Sequence, residues 1–376
     1  MILSRWIRRR RGTAGALLFT LLLLTVAVPV AATGISNRSE PVGLDVRSVT
    51  DGTGREVEIP AYPERIVVAG NASLMVADGL YLFESAPDRI VGITRISQAR
   101  GNFLPEIDPN YAQKAVFERN IGPEQIAALR PDLVILKSFM KGPLGDGVER
   151  LGIPVVYVDL ETPEQYQRDL TLFGEILQET GRAELLTRYY RDVVDAVSAR
   201  ITPIAETDRP ETLFIYATTT GGDVAFNVPP VSWIQTTLVE LAGGDPLWRD
   251  ANLGGGWLTV GFEQIAAWNP EKIFLVAYRS NPDEIRAGLL SQDRWQALRA
   301  VANNELHVFP VDFYSWDQPD TRWAIGLQWL ATKMHPELFG DIDIRQVVYR
   351  FFETAYGMDT QAIDSIILEP LWGDLY

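Results

Sequence analysis

The chain has 376 residues, room for two domains, and its 47% hydrophobic and 10% aromatic content supplies ordinary buried cores. Its 34 Lys and Arg against 49 Asp and Glu give a net charge of −15, which sets it against nucleic acid and anionic lipid as partners. Cysteine is absent, so disulfides, thiolate-held iron–sulfur clusters and a lipid-modified cysteine are all excluded. Two histidines, His307 and His335, leave no His-rich zinc site.

The N-terminus reads as an export signal over residues 1–32. Arg5 and Arg8 to Arg11 precede an apolar run from Ala14 to Ala32, and Val30-Ala31-Ala32 offers small residues for cleavage before Thr33. An uncleaved anchor is the alternative, because a bilayer is spanned by about 20 apolar residues. Either reading places the rest of the chain outside the cytoplasm, in the periplasm or its equivalent. Residues 33–45 are polar and read as a linker.

The first ordered segment is a hairpin over Arg47 to Pro60, turned at Asp51-Gly52 and Thr53-Gly54. Short apolar runs then alternate with helical stretches. The strands are Arg65–Ala69, Ile90–Ile93, Leu133–Leu136 and Val155–Val158, with helices at Ser73–Glu84, Pro123–Leu129 and Glu164–Thr180. Continuous β-branched runs between helices mark strands buried on both faces of a parallel sheet, so the class is α/β. From Gly181 to Ile204 the apolar residues recur at three- and four-residue spacing, which predicts one long helix. A second alternation follows: strands at Thr212–Tyr216, Ile273–Ala277 and Leu306–Val311, and a helix at Trp233–Ala242. The organisation predicted is an N-terminal lobe over 46–180, a bridging helix over 181–204, a C-terminal lobe over 205–335 and a helical extension over 336–376. The segment Glu124–Leu136 is echoed by Glu263–Leu275, each a short helix, a proline stop and a strand, which suggests a duplicated lobe.

Several of these segments resemble the periplasmic binding proteins of ABC importers for ferric siderophores, haem and cobalamin. The similarity lies in the Asp51 to Arg55 hairpin followed by Arg65-Ile66-Val67, in Pro131-Asp132-Leu133-Val134-Ile135, in Leu151-Gly152-Ile153-Pro154-Val155, in Leu241-Ala242-Gly243-Gly244 and in Glu263–Leu275. It covers about residues 47–335. The resemblance implies two Rossmann-like α/β lobes joined by a single long helix, a ligand cleft between them and little hinge motion. It also implies a monomer that works with a permease and its ATPase. The ligand it implies is a metal chelate (ferric siderophore, haem or cobalamin), with no resident cofactor and no direct metal ligand from the protein. Two features depart from the family pattern. Where the resemblance implies glutamates that dock on the permease, this chain places Met75 and Ser232; Glu84 and Glu240 are candidate substitutes but read first as plain surface or helix residues.

In an open α/β sheet, sites form beyond the carboxyl ends of the strands. Those ends carry Asn71, Ser73, Arg95, Arg119, Lys137 and Phe139 in the first lobe. The second lobe offers Tyr216, Thr218, Trp257, Tyr278, Arg279, Tyr314 and Trp316. Rings with Arg and Lys suit a partly flat anionic ligand. Trp268, Trp295 and Trp329 fall in helical patterns and read as core. No G-x-S-x-G, H-E-x-x-H, P-loop or G-x-G-x-x-G occurs where it would be needed, so a binding protein is expected and an enzyme is not. Capture of an oxyanion or simple metal ion, and a sensor or adhesion role, are the alternatives. The tail, with Val347, Val348, Phe351, Phe352 and Tyr356 on one helical face, is expected to pack on the second lobe.

Overall fold

The structure is a computed structural model that describes residues 45–96, 99–220 and 223–375. The export signal and all of the linker but Asp45 lie outside the described residues. Among the described residues no helix is long and apolar enough to cross a membrane.

The hairpin pairs β1 (Val46–Thr50) with β2 (Glu56–Pro60) antiparallel. Asp51 closes its turn by accepting hydrogen bonds from the Thr53 and Arg55 amides and an ion pair from the Arg55 guanidinium. The first lobe is a five-stranded parallel sheet, ordered β5-β4-β3-β6-β7. Its strands are β3 (Ile66–Val68), β4 (Ile90–Thr94), β5 (Ala115–Phe117), β6 (Leu133–Lys137) and β7 (Val155–Val158). Every residue of β3, β6 and β7 is buried, as strands covered on both faces must be. The edge strand β5, with its exposed Val116, is too short and too polar in its flanks to stand out in the sequence.

The second lobe is built on β8 (Glu211–Thr220), β9 (Asp223–Val228), β10 (Asp245–Pro246), β11 (Leu258–Val260), β12 (Lys272–Val276) and β13 (Leu306–Val308). Its order is β11-β9-β8-β12-β13, with β10 on β8. The strands β8, β12 and β13 run parallel, whereas β9 and β11 add an antiparallel edge. That edge is where this sheet departs from the predicted simple alternation. Strand β8 continues past Tyr216 as far as Thr220 and pairs with β9 there.

Between the sheets run α1 (Ser73–Leu80), α2 (Pro163–Leu177) and α3 (Thr180–Ile201). Helix α3 leads from the first lobe into β8 and buries Ala183, Leu186, Tyr190, Val197 and Ile201. Helices α4 (Ile234–Leu241) and α5 (Trp323–Met334) cover the second sheet. Tyr190 of α3 stacks on Trp323 of α5 at 5.0 Å, and its hydroxyl donates to the Thr321 carbonyl. Gly326 of α5 lies so close to the Trp316 carbonyl that no Cβ could be placed there. Trp295 and Trp329 are fully buried, as their helical spacing predicts, and Trp268 is partly so. His335 is buried against the Gly243 carbonyl, while His307 pairs with Glu305.

The C-terminal helix α6 (Ile344–Tyr356) does more than pack on the second lobe. Phe352 and Tyr356 hold the ring of Phe103, from the first lobe, at 5.9 and 5.0 Å. Arg182 of α3 donates to both the Leu82 and Ala355 carbonyls. Beyond α6, Trp372 bridges to Val311, and Asp374 pairs with Arg286. Asp343 caps α6 by accepting from the Arg345 and Gln346 amides, and Gly357 ends it in the left-handed region at φ 64°. Asp343→Ala is expected to cost about 1 kcal/mol, read as a lower urea midpoint at unchanged slope.

Candidate ligand site

The carboxyl ends of β3, β6 and β12 converge on one cavity of about 170 Å³. Its walls include Asn71 and Met75 from the first lobe's β3–α1 segment, Arg119 and Phe139 from later loops, and Trp233, Gln235, Trp257 and Tyr278 from the second lobe. Asn71, Ala72 and Arg119 also line a small adjoining recess with Ser73 and Arg95. A larger open groove of about 530 Å³ sits at the other end of α1, but Arg182 and Glu179 on its walls are already bonded to backbone groups.

Asn71, Arg119, Phe139, Trp257 and Tyr278 are thus brought together. Tyr216 stands one row behind, its ring 5.0 Å from Trp257 and 4.5 Å from Tyr278. Ser73 is buried and donates to the Thr94 carbonyl. Arg95 is exposed and paired with Glu118. Lys137 is buried beneath the site, where its ammonium holds Glu161, itself a wall residue, at 2.6 Å. Thr218 bonds across the β8–β9 edge, and Arg279 is exposed beside Tyr216; neither lines the cavity.

Tyr314 and Trp316 are corrections. Both are fully buried and neither reaches the cavity. Tyr314 donates to Asn102 and accepts from the Phe103 amide, and the Trp316 indole donates to Asp312. The loop that carries them turns inward because it must supply partners for Arg322, which is 0% exposed. Arg322 pairs with Asp312 at 2.8 Å and with Asp78 of α1 at 3.1 Å. Phe103, Tyr314 and Phe352 lie within 4.5 to 5.4 Å of its guanidinium. Burial pushes the Asp320 carboxyl well above the ordinary range beside this cluster.

Sequence reasoning did not single out Trp233, Gln235, Gln318 or Glu161. The carrier of the first two is α4, whose N-terminal turn faces the cavity. Gln235 and Tyr278 are both held by Asp317, which accepts the Tyr278 hydroxyl at 2.7 Å and the Gln235 amide at 3.3 Å. Met75 is a buried wall residue, and Ser232 is exposed. Glu84 is exposed and Glu240 pairs with Arg249.

The electrostatics of the site favour an anion. Helix α1 begins at Ala72, in the left-handed region at φ 59°, with no side chain capping it. The first turn thus has no side-chain cap, and the positive end of its dipole lies at the Asn71–Arg119 recess, which Ser73 and Leu74 also line. Of the two charged wall residues, Glu161 is neutralised by Lys137, and Arg119 makes no ion pair among the described residues. Trp233, Trp257, Tyr278 and Phe139 supply an apolar wall opposite.

The profile of a family described as periplasmic binding protein matches residues 68–312, more than half of the chain. The molybdate-binding protein MolA of Haemophilus influenzae is 22% identical over 350 residues, spanning 84% of this chain and 93% of its own. Its molybdate-bound structure is similar at a TM-score of 0.69, with 19% identity over 83% of this chain and 98% of that one. YvrC of Bacillus subtilis, an uncharacterised ABC transporter substrate-binding lipoprotein, is 22% identical over 88% of this chain and 99% of its own. A periplasmic solute binding protein of Veillonella parvula gives a TM-score of 0.68 at 23% identity, covering 86% of this chain and 97% of that chain. With two α/β lobes, the long helix α3 between them and a cavity at their strand ends, the chain belongs to the periplasmic binding protein family.

Proposed function

We propose that this protein captures a small anionic solute outside the cytoplasm and delivers it to an ABC importer, acting as a binding protein and not as an enzyme. The observation that carries this reading is the N-terminus of α1, which no side chain caps, beside Arg119, which makes no ion pair among the described residues. The size of the cavity agrees. At about 170 Å³ it suits an oxyanion or a compact anionic chelate. Molybdate, the ligand of the relative MolA, is of that class.

The second reading is a ferric siderophore, haem or corrinoid, to which the family resemblance points. The aromatic wall of Trp233, Trp257, Tyr278 and Phe139 favours it. A haem or corrinoid would require the lobes to stand further apart.

Calorimetric titration of the purified protein with molybdate, sulfate, ferric citrate, haem and cobalamin separates the two. Saturable one-to-one binding of an oxyanion, weakened roughly ten-fold or more in Arg119→Ala, is the expected result. Tight haem or cobalamin binding with no response to any oxyanion would replace the first reading by the second.

A further inference from the structure

Asp317 lies behind the cavity and is fully buried. It receives Tyr278 and Gln235, which line the cavity, and Ser315, which does not. Gln235 is 4% exposed. Its amide nitrogen is spent on Asp317, and its other end, Oε1, is buried without a hydrogen-bond partner. A wall residue of the anion site thus carries a buried carbonyl oxygen with no hydrogen-bond partner among the described residues, and its negative end opposes an anion in the cavity. A carboxylate can only accept, so it holds the amide in that orientation. A carboxylic acid can donate, and then the amide can reverse.

We propose that Asp317 is a positioning residue that links anion capture to uptake of one proton, by turning the Gln235 amide from acceptor to donor toward the cavity. The inference rests on the anion-capture reading above. In the acid form the proton sits on Asp317 Oδ2, which donates to Gln235 Oε1 and still accepts from Tyr278, Oδ1 still accepts from Ser315, and the Gln235 amide nitrogen is released to the ligand. The proton comes from solvent.

The titration range fits. Burial pushes Asp317 up to about 6, against the pull of three side-chain donors and its own backbone amide. It is therefore mostly a carboxylate at neutral pH, and an anion nearby raises it further. Affinity is full below about pH 6 and falls as pH rises above it, by up to about ten-fold per unit.

The other ionisable groups around Asp317 do not supply this switch. Tyr278 and Tyr216 are pushed upward by burial, away from neutrality. Arg279 sits beside Tyr216. In the same loop Asp312 and Arg322, with Asp78 of α1, form an ion cluster. Across the cavity, Glu161 is paired with Lys137, and Arg119 carries the fixed charge. Asp320 is the competing proton acceptor, but its bonded oxygen serves the Arg322 amide and no cavity residue.

The test is calorimetry on the whole protein with sulfate, which takes up no proton between pH 5.5 and 8, and with molybdate at pH 7 and 8, where it stays the monomeric dianion. Titrations at pH 7 in two buffers of different ionisation heat count the protons. The expected result is uptake approaching one proton per anion, with affinity falling above pH 6. Asp317→Asn, whose amide can donate permanently, should keep the low-pH affinity up to pH 8 with no uptake, and Asp320→Asn should still take up the proton. Wild-type binding with no proton uptake and equal affinity at pH 5.5 and 8 overturns the proposal without any variant, as does uptake that persists in Asp317→Asn. Failure of both anions to bind at every pH brings down the capture reading itself, and this inference with it.

Discussion

Arg322→Met is expected to lower the unfolding free energy by about 3–5 kcal/mol, the usual cost of removing one partner from a buried ionic network. The guanidinium is 0% exposed and sits between two carboxylates that are equally buried, Asp312 of its own loop and Asp78 of α1. Methionine fills much of the volume, so the loss comes from the two charges left without a counter-charge and not from a void. The cluster joins parts far apart in the chain. Asp78 also accepts from the Thr321 amide and hydroxyl and from Tyr356, so first lobe, second lobe and α6 meet there. Urea denaturation followed by far-UV circular dichroism measures the effect. A loss under about 1 kcal/mol would mean that Asp78 and Asp312 find other partners, and that the cluster does not hold the lobes together.

The scaffold was legible in the sequence because its signals are local. Continuous apolar strands such as Leu133–Leu136 and the repeated spacing along α3 follow from burial on both sheet faces and on one helix face. The wall residues on strand ends, Asn71, Phe139 and Tyr278, were found by the same rule, since a parallel strand delivers its next residues to the cleft. What was not legible depends on contacts across the chain. Nothing near Asp317-Gln318-Pro319-Asp320 distinguishes a solvent loop from one wrapped around Arg322, because the partners that bury it, Asp78 and Phe103, are more than 200 residues away. Three of those four residues are polar, yet all three are within 1% of full burial. Gln235 escaped notice for a related reason. It lies on the buried side of α4, and only the position of Asp317 makes its amide part of a site.

Two tryptophans that look alike in the sequence, each on a loop beside turn-forming residues, are expected to behave in opposite ways. Trp316→Ala should cost about 3–5 kcal/mol, the range for truncating a large buried aromatic side chain. Its ring is fully buried, its indole N–H serves Asp312, and its backbone is pressed against Gly326 of α5, so the surroundings have little room to collapse into the space. Any protein that remains folded should bind molybdate within about two-fold of the wild type, because the residue does not reach the cavity. Trp257→Ala, whose ring is only partly buried, should cost less, about 0.5–1.5 kcal/mol for each ring contact with Tyr216 and Trp233. It should instead weaken ligand binding and abolish most of the tryptophan fluorescence change on titration. Thermal unfolding and a fluorescence titration on the same two variants decide the matter: a stable Trp316→Ala protein that has lost its ligand would return that residue to the cleft and remove the core assigned here to the loop around Arg322.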